Sequence, residues 1–146
     1  MEEKNDIRLP EEVKFIKSKR IDDCRGSLFV TDNLELPFDV KRVFWIYGIG
    51  EGKTRGGHAH RSCEEVVVAV SGSFDMVVDD GHERIVVRMD SPTKGIHIRK
   101  NVWCELRNFS TGTICVVLAS EEYNTDGYMK DYDEFIGMKM KNEKFL

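Results

Sequence analysis

From residue 13 to residue 120 the apolar residues come in short runs, at 28–30, 43–47, 66–70, 74–78, 85–87, 96–98 and 114–119, each followed by a turn signal. Runs of this length, rich in Val, Ile and aromatics, are strand patterns, and their close, even spacing specifies an all-β antiparallel sandwich or barrel. Asp79-Asp80-Gly81-His82 reads as a hairpin turn, because Asp-Gly accepts the positive φ that tight hairpins need. Ser71-Gly72-Ser73 reads as a second turn. After Ser120 the pattern changes: apolar and aromatic residues from Tyr128 to Ile136 fall at helical spacing and predict a short C-terminal helix packed on the sheet. Residues 137–146 are expected to be a solvated tail, so the core of a single domain spanning 1–146 lies at about 13–136.

A chain of 146 residues buries enough surface to fold without disulfides or metal. Its 26 acidic and 22 basic residues are interspersed and give a net charge of −4, so there is no basic face for a polyanionic duplex and no nucleic-acid partner is expected. Cys24, Cys63, Cys104 and Cys115 form no CxxC pair, which argues against a zinc ribbon or a thioredoxin-like site and for reduced thiols in a cytoplasmic protein. The charged N-terminus and the lack of a long apolar run predict no targeting peptide and no membrane span.

The chemistry concentrates in Gly52-Lys53-Thr54-Arg55-Gly56-Gly57-His58-Ala59-His60, just before the Val-rich run that follows Glu65. On a strand, Ala59 faces one way and both histidines the other. Two imidazoles side by side on a rigid element suit proton transfer or metal ligation. His82 and His97 stand alone and read as structural. Arg55, beside the histidine pair, is a candidate for holding an anionic ligand group.

The spacing G-x5-H-x-H-x4-E-x6-G, from Gly52 to Gly72, resembles the first motif of the cupin superfamily. A degenerate second motif follows in residues 99–108, where Asn108 suits the final asparagine and Cys104 stands at the third histidine's place. The resemblance implies a double-stranded β-helix, or jelly-roll barrel, with its site in the barrel mouth. A narrower likeness runs from Cys24 to Phe135. Asp23-Cys24-Arg25-Gly26, Lys41-Arg42-Val43, Arg55-Gly56-Gly57-His58-Ala59-His60, Val102-Trp103 and Tyr128-Met129-Lys130-Asp131-Tyr132-Asp133-Glu134-Phe135 resemble the WxcM-like sugar-nucleotide 3,4-ketoisomerases. That family implies a dTDP-linked 4-keto-6-deoxyhexose as substrate, no cofactor, a homodimer, and a place in making bacterial surface-glycan sugars. His58 and His60 then share the base and acid roles between C3 and C4, in an order left open. Arg25, Arg55, Trp45, Trp103 and Cys104 are the candidate substrate contacts.

Four positions depart from the family pattern. Trp45 falls where the ketoisomerases carry a strand tyrosine, leaving Tyr47, two residues on, as the candidate catalytic phenol. Cys104 replaces a histidine, and Gly57 a common phenylalanine. Glu65 stands where metal-free members tend to have Gln, so His58, His60, Glu65 and Cys104 form an alternative metal-ligand set. A metal-dependent cupin enzyme, a 3,5-epimerase that exchanges protons beside the C4 ketone, and a noncatalytic sugar-nucleotide binder are the competing expectations.

Overall fold

The alternation of the apolar runs becomes two facing antiparallel sheets. The computed structural model describes residues 7–16, 18–32 and 35–144. In chain order the strands are β1 (Val13–Ile16), β2 (Lys19–Asp23), β3 (Gly26–Val30), β4 (Arg42–Ile46), β5 (Arg55–His60), β6 (Glu65–Ser71), β7 (Phe74–Asp79), β8 (Arg84–Met89), β9 (Gly95–Ile98), β10 (Trp103–Arg107), β11 (Ile114–Ala119) and β12 (Tyr128–Met129), followed by helix α1 (Tyr132–Lys144). One sheet runs β1-β9-β6-β11-β4 and the other β12-β5-β10-β7-β8, while β2 and β3 form a separate hairpin.

The core lies between the inner faces, where Val67, Ala69, Ile96, Cys115 and Val117 of the first sheet meet Met76, Val78, Val87, Cys104 and Leu106 of the second. A smaller apolar layer on the outer face of the second sheet joins Ala59 and Trp103 to Met129 and Phe135 beneath the helix. Both expected turns form, with Gly72 at φ +69° and Gly81 at φ +95°. At Gly72 a Cβ would stand 2.8 Å from the Thr113 Cα, so no larger residue fits that turn.

The C-terminal segment differs from its sequence reading at both ends. Tyr128 and Met129 are strand, not helix, because they pair with the free edge of β5 opposite His60 and Ala59. Asp131 then starts the helix, its carboxylate accepting from the Glu134 N–H at 2.9 Å as an N-cap. The expected tail is helical through Lys144, with residues 141–143 exposed to solvent, and its residues 145–146 lie outside the described residues. Lys139 sits over the Phe135 ring, Asn142 contacts Met138 one turn back, and Glu143 pairs with His82 of the β7–β8 turn, so polar residues continue the helix with one side seated on the sheet.

Candidate active site

His58 and His60 owe their common direction to β5, where they alternate with Ala59. Ala59 and the facing Trp103 turn outward beneath the helix, while His58 pairs in register with Cys104 of the inner face. The pairing of β5 with β10 slips between Cys104 and Glu105, leaving Gly57 as the extra residue of a β-bulge. Gly56 and Gly57 hold φ of +80° and +77°, and a Cβ on Gly56 would lie 2.9 Å from the Cys104 carbonyl. The two glycines therefore make the bulge that aims His58.

The imidazole rings lie 5.0 Å apart, edge to face. His60 is buried, and its Nε2 donates to Glu65 Oε1 at 2.9 Å. His58 instead faces the opening, with one ring N–H on the Gly56 carbonyl. Burial, reinforced by the neighbouring His60, lowers its pKa to about 4 against the upward pull of Glu65 and Gly56. At neutral pH His58 carries a free nitrogen lone pair, the state a general base requires.

Around His58 the mouth opens into two lobes of about 450 and 640 Å³, both lined by Arg55, Gly56, His58 and Tyr128. The first adds Thr54, Gly57, Tyr123 and Lys130, and the second is walled by residues 44–48. Such volumes suit a small organic ligand, and the paired cations Arg55 and Lys130 suit its anionic groups. Tyr128 closes the site from β12, its ring centroid 4.8 Å from His58 and 4.7 Å from His60. Its hydroxyl accepts from Arg42 Nη1 at 3.2 Å, and that guanidinium lies between the rings of Phe44 and Tyr123.

His58, His60 and Arg55 are thus brought together as the sequence leads one to expect, with Trp45 and Tyr47 at the edge of the second lobe, while Trp103, Arg25 and Cys104 line neither lobe. Trp103 is 5% exposed and packs against Tyr132 and Phe135, on the sheet face away from the histidines, because neighbours on a strand face opposite ways. Arg25 sits on the β2–β3 turn, fully exposed and paired with Asp23 at 2.6 Å, and lines neither lobe. Phe44 and Ile46 are the inward residues of β4, so Trp45 projects from the outer face and is 61% exposed. Tyr47 lies past the end of β4 at the rim, also mostly exposed, and the phenol against the imidazoles is Tyr128 instead.

Cys104 faces inward but is buried in the core, its S–H directed to the Val102 carbonyl at 3.8 Å. Burial, then the charges of Glu65, Asp79 and Glu105, push its thiol pKa well up, so it remains a thiol and not a ligating thiolate. Of the alternative metal set, His58, His60 and Glu65 have donor atoms within 4.8 Å of one another and could together hold an ion, while Cys104 stands outside that group. His97 pairs with Glu64 and His82 with Glu143, both structural as read.

Sequence reasoning missed Tyr128, Arg42 and Lys130 as site residues. Their blocks stand within the family likeness, yet it takes the β5–β12 pairing to bring Tyr128 and Lys130 beside the histidines, and the hydrogen bond from β4 to Tyr128 to bring in Arg42.

A barrel of two five-stranded sheets with an imidazole pair in its mouth is a cupin. The chain belongs to the WxcM-like, C-terminal family, whose model matches residues 11–140. It is 38% identical over 125 residues to the TDP-4-oxo-6-deoxy-alpha-D-glucose-3,4-oxoisomerase of Aneurinibacillus thermoaerophilus, covering 85% of this chain and 90% of that protein. A 3,4-ketoisomerase from Helicobacter canadensis superimposes with a TM-score of 0.86 at 40% identity, over 88% of this chain and 98% of that one. QdtA, a sugar 3,4-ketoisomerase from Thermoanaerobacterium thermosaccharolyticum solved in complex with TDP, gives 0.88 at 32% identity, over 92% and 98%.

Proposed function

We propose that this protein is a sugar-nucleotide 3,4-ketoisomerase that converts a TDP-linked 4-keto-6-deoxyhexose to its 3-keto isomer, a step toward deoxy sugars of bacterial surface glycans. The observation that carries this reading is the imidazole pair in the barrel mouth, with His58 on the opening, His60 hydrogen-bonded to the buried Glu65 behind it, and Arg55 and Lys130 lining the same lobe. His58 removes the proton on C3, an enediolate forms across C3 and C4, and the same imidazolium, after exchanging its proton with solvent, protonates C4. His60, held by Glu65 and 5.0 Å from His58, orients that ring and offsets its transient positive charge through the carboxylate behind it. Arg55 and Lys130 bind the diphosphate. No redox equivalent is needed, because the carbonyl moves within one molecule.

Two chains form the working unit in this reading. The outer face of the β4-bearing sheet is apolar, with Val66, Val68, Val70, Val116 and Leu118 lining a groove and Val43 and Trp45 exposed beside it. A second copy is the occupant that covers it. Four unpaired thiols support a reducing, cytoplasmic setting, and among the described residues no helix is long and apolar enough to cross a membrane.

The test is proton NMR of TDP-4-keto-6-deoxyglucose incubated in deuterated water with protein stripped of metal. Conversion to the 3-keto sugar with deuterium at C4 is expected. Exchange at C5 without carbonyl movement points to an epimerase. Activity returning only with added metal overturns the cofactor-free mechanism, and tight binding without turnover overturns catalysis.

A further inference from the structure

We propose that Tyr128 carries the hydroxyl proton during the carbonyl transposition, a second proton carrier beside His58. The inference rests on the ketoisomerase reading and deepens it. Moving a ketone from C4 to C3 shifts two protons, one from carbon to carbon and one from O3 to O4. An imidazole accounts for the first. The second needs a group that donates at O4 and accepts at O3, two oxygens on adjacent carbons.

A phenol has one O–H to donate and two lone pairs to accept with. Arg42 Nη1 occupies one lone pair of Tyr128 Oη at 3.2 Å, leaving the O–H and the other lone pair free to turn to a ligand in the mouth. The ring lies against both imidazoles, and Tyr128 lines both lobes of the cleft. Its backbone is fixed by pairing with His60, and the Arg61 N–H donates to the Gly127 carbonyl at 2.9 Å just before it. On β4 the inward positions are Arg42, Phe44 and Ile46, so that strand brings no phenol to the histidines. Tyr128 supplies the missing hydroxyl from the opposite sheet.

The step balances. His58 takes the C3 proton, the C–H electron pair forms the C3–C4 double bond, and the C4–O π pair moves to O4, which takes the Tyr128 proton. The enediol then gives its O3 proton to the Tyr128 phenolate as the C3–O π bond forms, and the C3–C4 π pair takes the imidazolium proton at C4. Both side chains return to their starting states, and the Arg42 guanidinium stands beside the charge that appears on the phenol oxygen.

The test compares wild type, Tyr128→Phe and Tyr47→Phe with TDP-4-keto-6-deoxyglucose in deuterated water, following C3 exchange and conversion separately. For Tyr128→Phe, conversion is expected to fall about 100-fold or more, as general acid–base groups contribute. TDP affinity should change less than about threefold. C3 exchange should fall far less than conversion, raising the exchange-to-conversion ratio about tenfold or more, because an enediolate that cannot exchange its oxygen proton returns to substrate. An unchanged ratio overturns the proposal whatever the rate, since a merely structural role slows both processes together. Conversion near the wild-type rate overturns it too, as does the same pattern in Tyr47→Phe instead. Absence of conversion by the wild type overturns the ketoisomerase reading itself, and this inference with it.

Discussion

His58 is useful because burial denies it a proton. With its pKa near 4, it is unprotonated throughout the neutral range, as the proposed base role requires, and acid alone protonates it. The kcat/KM profile should therefore rise through about pH 4 and stay flat through neutrality, and a limb near the ordinary histidine value of 6.5 would contradict the assignment. The same shift sets a stability dependence. Between pH 4 and 6.5 the unfolded chain binds the proton that the folded chain excludes, so stability rises with pH across this window and is lost as pH falls through it. Thermal melts across that range should show the slope, and His58→Asn should flatten it. That variant should also lower turnover by about 10² or more while keeping TDP affinity, measured by calorimetry. The pair at 58 and 60 was legible because strand alternation alone puts both rings on one face. Tyr128 and Lys130 were not, because they arrive from a segment whose local spacing mimics a helix and whose partner is set by tertiary pairing. Trp103 misled for the opposite reason: it pairs with Ala59, between the two histidines, but one step along a strand reverses the face.

The bulge in β5 separates two glycines that the sequence presents as equals. Alanine at Gly56 meets the Cys104 carbonyl at 2.9 Å and the Glu105 Cα at 3.2 Å, both backbone, whereas alanine at Gly57 meets nothing within 4 Å. Both substitutions carry the left-handed penalty of about 1–2 kcal/mol. Only Gly56→Ala must also move β10 away from β5, and with it the ring of His58. Gly56→Ala should melt several degrees below Gly57→Ala and lose most of its activity, whereas Gly57→Ala keeps a functional site; equal losses in calorimetric melts and turnover would show that the bulge does not set the aim. The helix has a similar logic. Asp131→Ala removes one cap at about 1 kcal/mol, while Phe135→Ala, fully buried against Trp103, costs about 3–5 kcal/mol in denaturant unfolding. The D-x-x-E start at Asp131 was present in the sequence. The polar residues beyond Gly137 hid the helix because only part of that stretch touches the sheet.

Beyond one chain, the apolar character of β6 asks for a second layer. A strand that buries Val67 and Ala69 inward still presents Val66, Val68 and Val70 outward, the pattern of a strand covered on both faces. The outer face of the other sheet has its cover in the helix, with Trp103 and Phe135 sealed between them. On this first sheet Ile16, Phe29 and Pro92 rim the groove, yet Val43, Trp45, Val70 and Ile114 remain 38–61% exposed. A patch of that kind on a monomer promotes association, and a two-fold pairing of identical faces closes it without leaving a further edge. Val43→Glu distinguishes the cases because the residue is 49% exposed in the single chain. In a monomer, a surface change of this kind shifts stability by about 0.5 kcal/mol or less. Across a pairing interface it places a carboxylate against apolar side chains and must be desolvated on assembly. Sedimentation velocity at micromolar concentration should show the wild type as a dimer and Val43→Glu shifted to monomer with its fold intact by circular dichroism; a wild type that sediments as a monomer would leave the outer face for some other partner and remove the second copy from the proposed working unit.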